Sequence, residues 1–325
     1  MLGRGGVVCA RLASYSGRMS TSPTGEQYAL HHDGAHGPVE AIITSVAAAL
    51  RHLSVDGHDL VQGFDEGVTP PFGCGIVLVP WPNRVRDGCW LHDGSTLQLD
   101  LTEVERMNAI HGLLRNTPYQ LVEKTDSAVT LGAAVVPQHG YPFHLWTTVE
   151  YRLTGNGIRV THAVTNLGDH PAPYAVGTHP FIRVGAHPVD ELTITAQSVE
   201  HVLIDDRLNP VGFEPATGKW DLTQGRVVAE LALDDAFRVQ PDADGVTRTV
   251  LSAADGTETE VWQDGDWQWL QLFITRTFPT AAGPVTAIAV EPMTAPADAL
   301  NSGIGLQWIE PGASWSGNWG ICRPA

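Results

Sequence analysis

Turn-forming dipeptides punctuate the chain, and the stretches between them alternate apolar and polar residues too briefly to make a helix. The clearest case is residues 146–154, then Gly155-Asn156-Gly157, then residues 158–166. Two runs of period two around a Gly/Asn loop are what a β-hairpin requires, because those residues accept the positive φ of a tight turn. The pattern recurs at 54–61 around Asp56-Gly57, at 89–99 around Asp93-Gly94 and at 249–262 around Asp255-Gly256. Hairpins in series build antiparallel sheets, and half-apolar sheets pack face to face, so the expected class is all-β. Helical character is confined to single turns near 102–107 and 295–299, and the absence of alternating strands and helices disfavours a doubly wound nucleotide fold.

A chain of 325 residues can hold one continuous β core, and neither a linker nor a fixed repeat divides it. Residues 26–325 are therefore expected to form a single domain. Residues 1–25 carry Arg4, Arg11 and Arg18, several serines and no acid, and read as a disordered extension upstream of a natural start near Met19.

Composition narrows the partners. A formal charge of −17 argues against DNA, RNA or anionic lipid, which gather on Lys/Arg fields, and leaves a neutral small molecule as the better ligand. No run approaches the eighteen apolar residues of a membrane span. Cys9, Cys74, Cys89 and Cys322 form no C-x-x-C pair, so reduced thiols in a cytoplasmic monomer or homodimer are expected. Phosphate-loop, zinc-protease and nucleophile-elbow signatures are absent. His31, His32 and His36 match no standard metal-ligand spacing, and Gly303-Ile304-Gly305 reads as turn chemistry.

Four local sequences place a titratable or hydrogen-bonding residue in an apolar or turn-forming setting: Pro80-Trp81-Pro82-Asn83-Arg84-Val85-Arg86, Asn108-Ala109-Ile110-His111-Gly112, Val176-Gly177-Thr178-His179-Pro180-Phe181 and Ile288-Ala289-Val290-Glu291-Pro292-Met293. On residues alone, Glu291 could be a solvated strand end, His179 a core or surface histidine, and Arg84 a brace paired with nearby Asp87.

Together these four, in this order over residues 39–321, resemble the aldose 1-epimerase (galactose mutarotase) family, with its P-x-x-N-R-x-x-x-G, H-G, T-H-P-[YF] and strand-terminal Glu. The chain is most similar to the bacterial branch with Pro-Trp-Pro-Asn-Arg. The resemblance implies an antiparallel supersandwich that interconverts the α and β anomers of a free aldohexose such as glucose or galactose. It implies Glu291 as the general base and His179 as the acid for the ring oxygen. It gives Arg84, His111 and Asp234 to the sugar hydroxyls, although Asp235 leaves the last register open by one. Such a reaction moves no electrons and needs one acid and one base, so no cofactor or metal is expected. Gly177 and Phe181 depart from the family, where an Asn and a Tyr are common. Trp81 and Trp267 are candidates for stacking on the sugar, and Arg86 for a structural or rim role. A mutarotase for a phosphorylated or sulfonated sugar, held by Arg84, Arg86 and Arg115, and a noncatalytic sugar-binding sandwich are the alternatives.

Overall fold

The computed structural model describes residues 22–324. Nearly every element is a strand, and the pairing between neighbours is antiparallel. The hairpins anticipated from the turn signals form. Strands Leu145–Thr154 and Gly157–Asn166 pair along their whole length, with Thr154 opposite Gly157. Leu50–Val55 meets His58–Asp59 through Asp56 (φ 51°) and Gly57 (φ 73°), and Cys89–His92 meets Ser95–Gln98 through Asp93 (φ 47°) and Gly94 (φ 76°). Two successive positive φ values are the signature of a hairpin turn whose twist matches its strands. Thr247–Ser252 and Glu258–Gln263 pair across the longer loop containing Gly256.

These hairpins assemble into a nine-stranded sheet and an eight-stranded sheet, with a four-stranded sheet near the amino end. Period-two patterning decides what lies between them. Val149, Tyr151, Val160, Trp319 and Ile321 from the larger sheet, and Phe237, Leu270, Leu272 and Val290 from the smaller, belong to one buried cluster that runs from Tyr28 to Ile321. Each fully buried side chain of that size stabilises the fold by roughly 1.5–3 kcal/mol relative to exposure.

Two local expectations shift. The turn near 102–107 is a 3-10 turn, Val104–Arg106. The one anticipated at 295–299 forms later, as Ala299–Ser302. Pro296 accounts for the delay, since the residue before a proline is pushed out of the helical region. The preceding segment instead runs past its neighbours, with the Thr294 N–H donating to the Val176 carbonyl at 2.9 Å. The anticipated extension over 1–25 falls, for residues 1–21, outside the described residues; Thr24 is already fully buried. His31 sits on an exposed hairpin beside Asp33 at 3.1 Å. No helix among the described residues is long and apolar enough to cross a membrane.

Candidate active site

Three adjacent strands of the eight-stranded sheet, Asp234–Val239, Trp269–Thr280 and Gly283–Met293, form the floor of a cavity of about 260 Å³. Register sets which side chains meet there. Gln271 lies opposite Glu291, and Asp234 opposite Phe273, so alternation sends Asp234, Gln271, Phe273 and Glu291 to one face while Leu272 and Val290 enter the core. Asp235 necessarily points the other way. Its Oδ1 contacts His201 Nε2 at 2.8 Å, so of the two aspartates Asp234 is the one that lines the cavity.

His179 reaches the floor because its segment is stitched in on both sides. Its N–H donates to the Ile76 carbonyl at 3.1 Å, its carbonyl accepts from the Gly75 N–H at 2.7 Å, and the next strand, Phe181–Ile182, pairs with Ala289 and Ile288. Its Nε2 thereby lies 3.3 Å from Glu291 Oε1. Both groups are buried, His179 to 5 % exposure and Glu291 to 2 %, so the reading of Glu291 as a solvated strand end does not hold. Pro292 does not end the strand, which continues through Met293.

Arg84 and His111 arrive together because the strands Arg84–Arg86 and Asn108–Ile110 pair, with Arg84 opposite Ile110. His111 (φ 64°) and Gly112 (φ 69°) then turn sharply. A Cβ on Gly112 would stand 2.1 Å from the Val79 carbonyl oxygen, so the close approach explains the glycine of the His-Gly pair. The His111 ring meets His179 edge to face, with centroids 5.5 Å apart.

Arg84 is both brace and lining. Its guanidinium donates twice to Glu103, at 2.8 and 2.9 Å, a bidentate pair that positions as well as attracts. The brace is Glu103 rather than the Asp87 suggested by the sequence, which pairs with Arg207 at 2.7 Å. Arg86 is structural, bound to Asp205 at 2.8 Å, and Arg115 lines a neighbouring cavity. Among the described residues Arg84 is the one arginine lining the site.

Electrostatics follow from burial. Desolvation raises the Glu291 carboxyl well above the usual range, Asp234 adds to the rise, and Arg84 opposes it. Desolvation lowers His179 to about 4 and holds His111 well below its ordinary value, with the charges of His179 and Arg84 adding to the second shift. Asp234 is also raised, mainly by burial. Burial pushes Glu103 upward too, but the hydrogen bond and charge of Arg84 outweigh it and leave that carboxyl low.

Several contributors escaped the sequence reading. Asn83 (φ 54°) donates through Nδ2 to Gln271 Oε1 at 3.1 Å, and Gln271 Nε2 donates to Asp234 Oδ1 at 2.8 Å, so one chain of bonds crosses three segments. Gln271 had a signal: it is the lone polar residue within Trp269-Leu270-Gln271-Leu272-Phe273. The aromatic lining is Phe72 and Phe273, with ring centroids 5.9 Å apart. Trp81 and Trp267, the candidates for stacking on a sugar, are core residues: Trp81 packs on Tyr141 and Trp267 on His162. The two departures from the family pattern acquire reasons. A Cβ on Gly177 would come within 2.7 Å of the Pro82 Cβ, and Phe181 lies flat against His179 in an apolar cluster where a hydroxyl would find no water.

Comparison with known proteins agrees with this architecture. The aldose 1-epimerase family model matches residues 30–321. The uncharacterised protein YihR of Escherichia coli is 34 % identical over 281 residues, covering 86 % of this chain and 88 % of YihR. Maltose epimerase of Levilactobacillus brevis is 23 % identical over 275 residues, 77 % of this chain and 78 % of that one. The crystal structure of a GalM/aldose epimerase homologue from C. elegans superposes with a TM-score of 0.80 at 17 % identity, covering 92 % and 99 % of the two chains. The paired sheets, the cavity at their face and the match over nearly the whole described chain have one consequence: this protein belongs to the aldose 1-epimerase family.

Proposed function

We propose that the chain interconverts the α and β anomers of a neutral free aldohexose such as glucose or galactose by acid/base ring opening. The observation that carries this reading is the 3.3 Å contact between His179 Nε2 and Glu291 Oε1 on the cavity floor. The anomeric hydroxyl and the ring oxygen are bonded to the same carbon, so the groups that serve them must be neighbours.

Burial favours the uncharged form of each group, so at rest the proton of the pair resides on Glu291. Catalysis in the proposed sense needs that proton on His179, and Arg84, whose charge lowers the proton affinity of Glu291, favours the transfer. The carboxylate then takes the proton of the anomeric hydroxyl while the imidazolium gives one to the ring oxygen. The bond between C1 and the ring oxygen breaks, the open aldehyde turns about C1–C2, and the reverse transfers close the ring on its other face. His111 and Arg84 donate to the remaining hydroxyls, Asp234 accepts, and Phe72 and Phe273 offer apolar faces to the C–H side of the sugar.

Arg84 as the one arginine lining the cavity among the described residues, already neutralised by Glu103, favours a neutral sugar over a phosphorylated or sulfonated one. A noncatalytic binder would have no use for a buried acid and base in contact. Exchange NMR on α and β glucose and galactose, with glucose 6-phosphate alongside, tests the reading. Rapid exchange of the neutral sugars, lost in Glu291→Gln, is the expected result; undiminished exchange in that variant, or none with any aldose, overturns it.

A further inference from the structure

Behind the cavity floor lies another buried histidine that the proposed chemistry does not use. His201, 3 % exposed, stands on the strand Ser198–Ile204 with a carboxylate at each ring nitrogen: Glu214 Oε1 lies 3.1 Å from Nδ1 and Asp235 Oδ1 lies 2.8 Å from Nε2. Carboxylates only accept, so both contacts are hydrogen bonds when both nitrogens carry protons, as in the imidazolium. Trp220 lies almost flat against the ring, 3.9 Å between centroids at 17°, and holds its plane.

The position of this cluster in the sheet gives it a purpose. The strand Asp234–Val239 is paired on both sides only in part. Toward Trp269–Thr280 its ladder extends to Asp234. Toward Ser198–Ile204 it stops at His201 opposite Phe237, after a bulge between Ser198 and Glu200. The register on that flank pairs none of Asp234, Asp235 and Ala236 with a residue of Ser198–Ile204. The side chain of Asp235 fills the gap: Oδ1 meets His201, and Oδ2 accepts the N–H of Asp234 itself at 3.1 Å. The backbone of Asp234 is fixed from behind, while its carboxylate is fixed in front by Gln271.

We infer that His201 is a positioning residue for sugar binding, which acts through Asp235 to hold the end of this strand so that the Asp234 carboxylate faces the cavity. This rests on the reading of Asp234 as a sugar ligand. Removing the His201 bond frees the strand end without touching Glu291 or His179, so the effect falls on substrate affinity rather than on proton transfer.

The test is a double-mutant cycle of His201→Gln with Asp234→Ala, read by exchange NMR as separate KM and kcat, with Asp235→Asn as a milder second variant. In the otherwise native protein His201→Gln should raise KM about tenfold, the scale of one displaced hydrogen bond, and leave kcat within about twofold. In the Asp234→Ala background it should add nothing further. Equal fold-changes in both backgrounds, or a loss confined to kcat, overturn the inference. Crystal structures of His201→Gln and Asp235→Asn separate this result from the proposed function. An Asp234 carboxylate displaced from Gln271 supports positioning even if no aldose is turned over, and an unmoved one refutes it even if sugars are anomerised.

Discussion

His179 and His201 are both buried and each faces a carboxylate, yet they are wired in opposite ways. His201 has both nitrogens engaged and a tryptophan flat against it. His179 has Glu291 at Nε2, while its Nδ1 finds no hydrogen-bond partner among the described residues, and its ring neighbours are Phe181, Phe273 and His111. An imidazole bonded at both nitrogens is locked in one orientation by buried hydrogen bonds. One with an unbonded nitrogen is held less tightly. Saturation, rather than burial, separates the proposed brace from the histidine proposed for proton transfer.

The comparison breaks most directly at the poised pair. Glu291→Gln and His179→Gln should each lower kcat by about 10²–10⁴-fold, the span of general acid or base catalysis, with the fold intact by circular dichroism. A decrease smaller than tenfold in His179→Gln would place that histidine with His201 among the braces. Next in size is the pH response. At low pH both members of the pair hold protons and no base remains; at high pH neither does and no acid remains. The kcat/KM profile measured by exchange NMR should therefore be bell-shaped, falling in acid toward about 4, where His179 charges while Glu291 stays protonated. On the alkaline side it should fall only above the ordinary carboxylate range, because Glu291 holds its proton there. A profile flat from pH 4 to 9 would deny the pair a shared proton.

Asp234→Asn should raise KM about tenfold with a smaller change in kcat, since the amide keeps one acceptor oxygen but loses the charge facing the sugar. The smallest effect belongs to Trp81→Phe. Its indole packs on Tyr141 and its Nε1 has no partner among the described residues, so phenylalanine forfeits no hydrogen bond. KM and kcat should stay within about twofold while the melting temperature drops by a few degrees. A KM increase as large as that of Asp234→Asn would return Trp81 to the sugar.

Much of this was legible beforehand, because hairpins are written locally. An Asp-Gly or Asn-Gly step and a period-two run fix each other within ten residues, and the strands fell where that grammar put them. The His-Gly motif was legible for a similar reason: Gly112 marks a backbone approach that tolerates no side chain, and such a constraint is written in a short stretch of sequence. Glu103, Gln271 and Phe72 were hidden, since nothing local marks them as neighbours of Arg84, Asp234 and His179. The tryptophans misled for the complementary reason, as a large aromatic serves a core as well as a sugar surface.

The sequence by itself determined the class of fold, the hairpin turns, and the motifs that carry the proposed acid, base and arginine. Only the tertiary structure decided that Asp234 rather than Asp235 faces the cavity, that Glu103 rather than Asp87 braces Arg84, and that His201 stands behind the floor against Asp235. The reason is geometric: a strand sends successive side chains to opposite faces, and which face is the cavity depends on strands that come from distant parts of the chain.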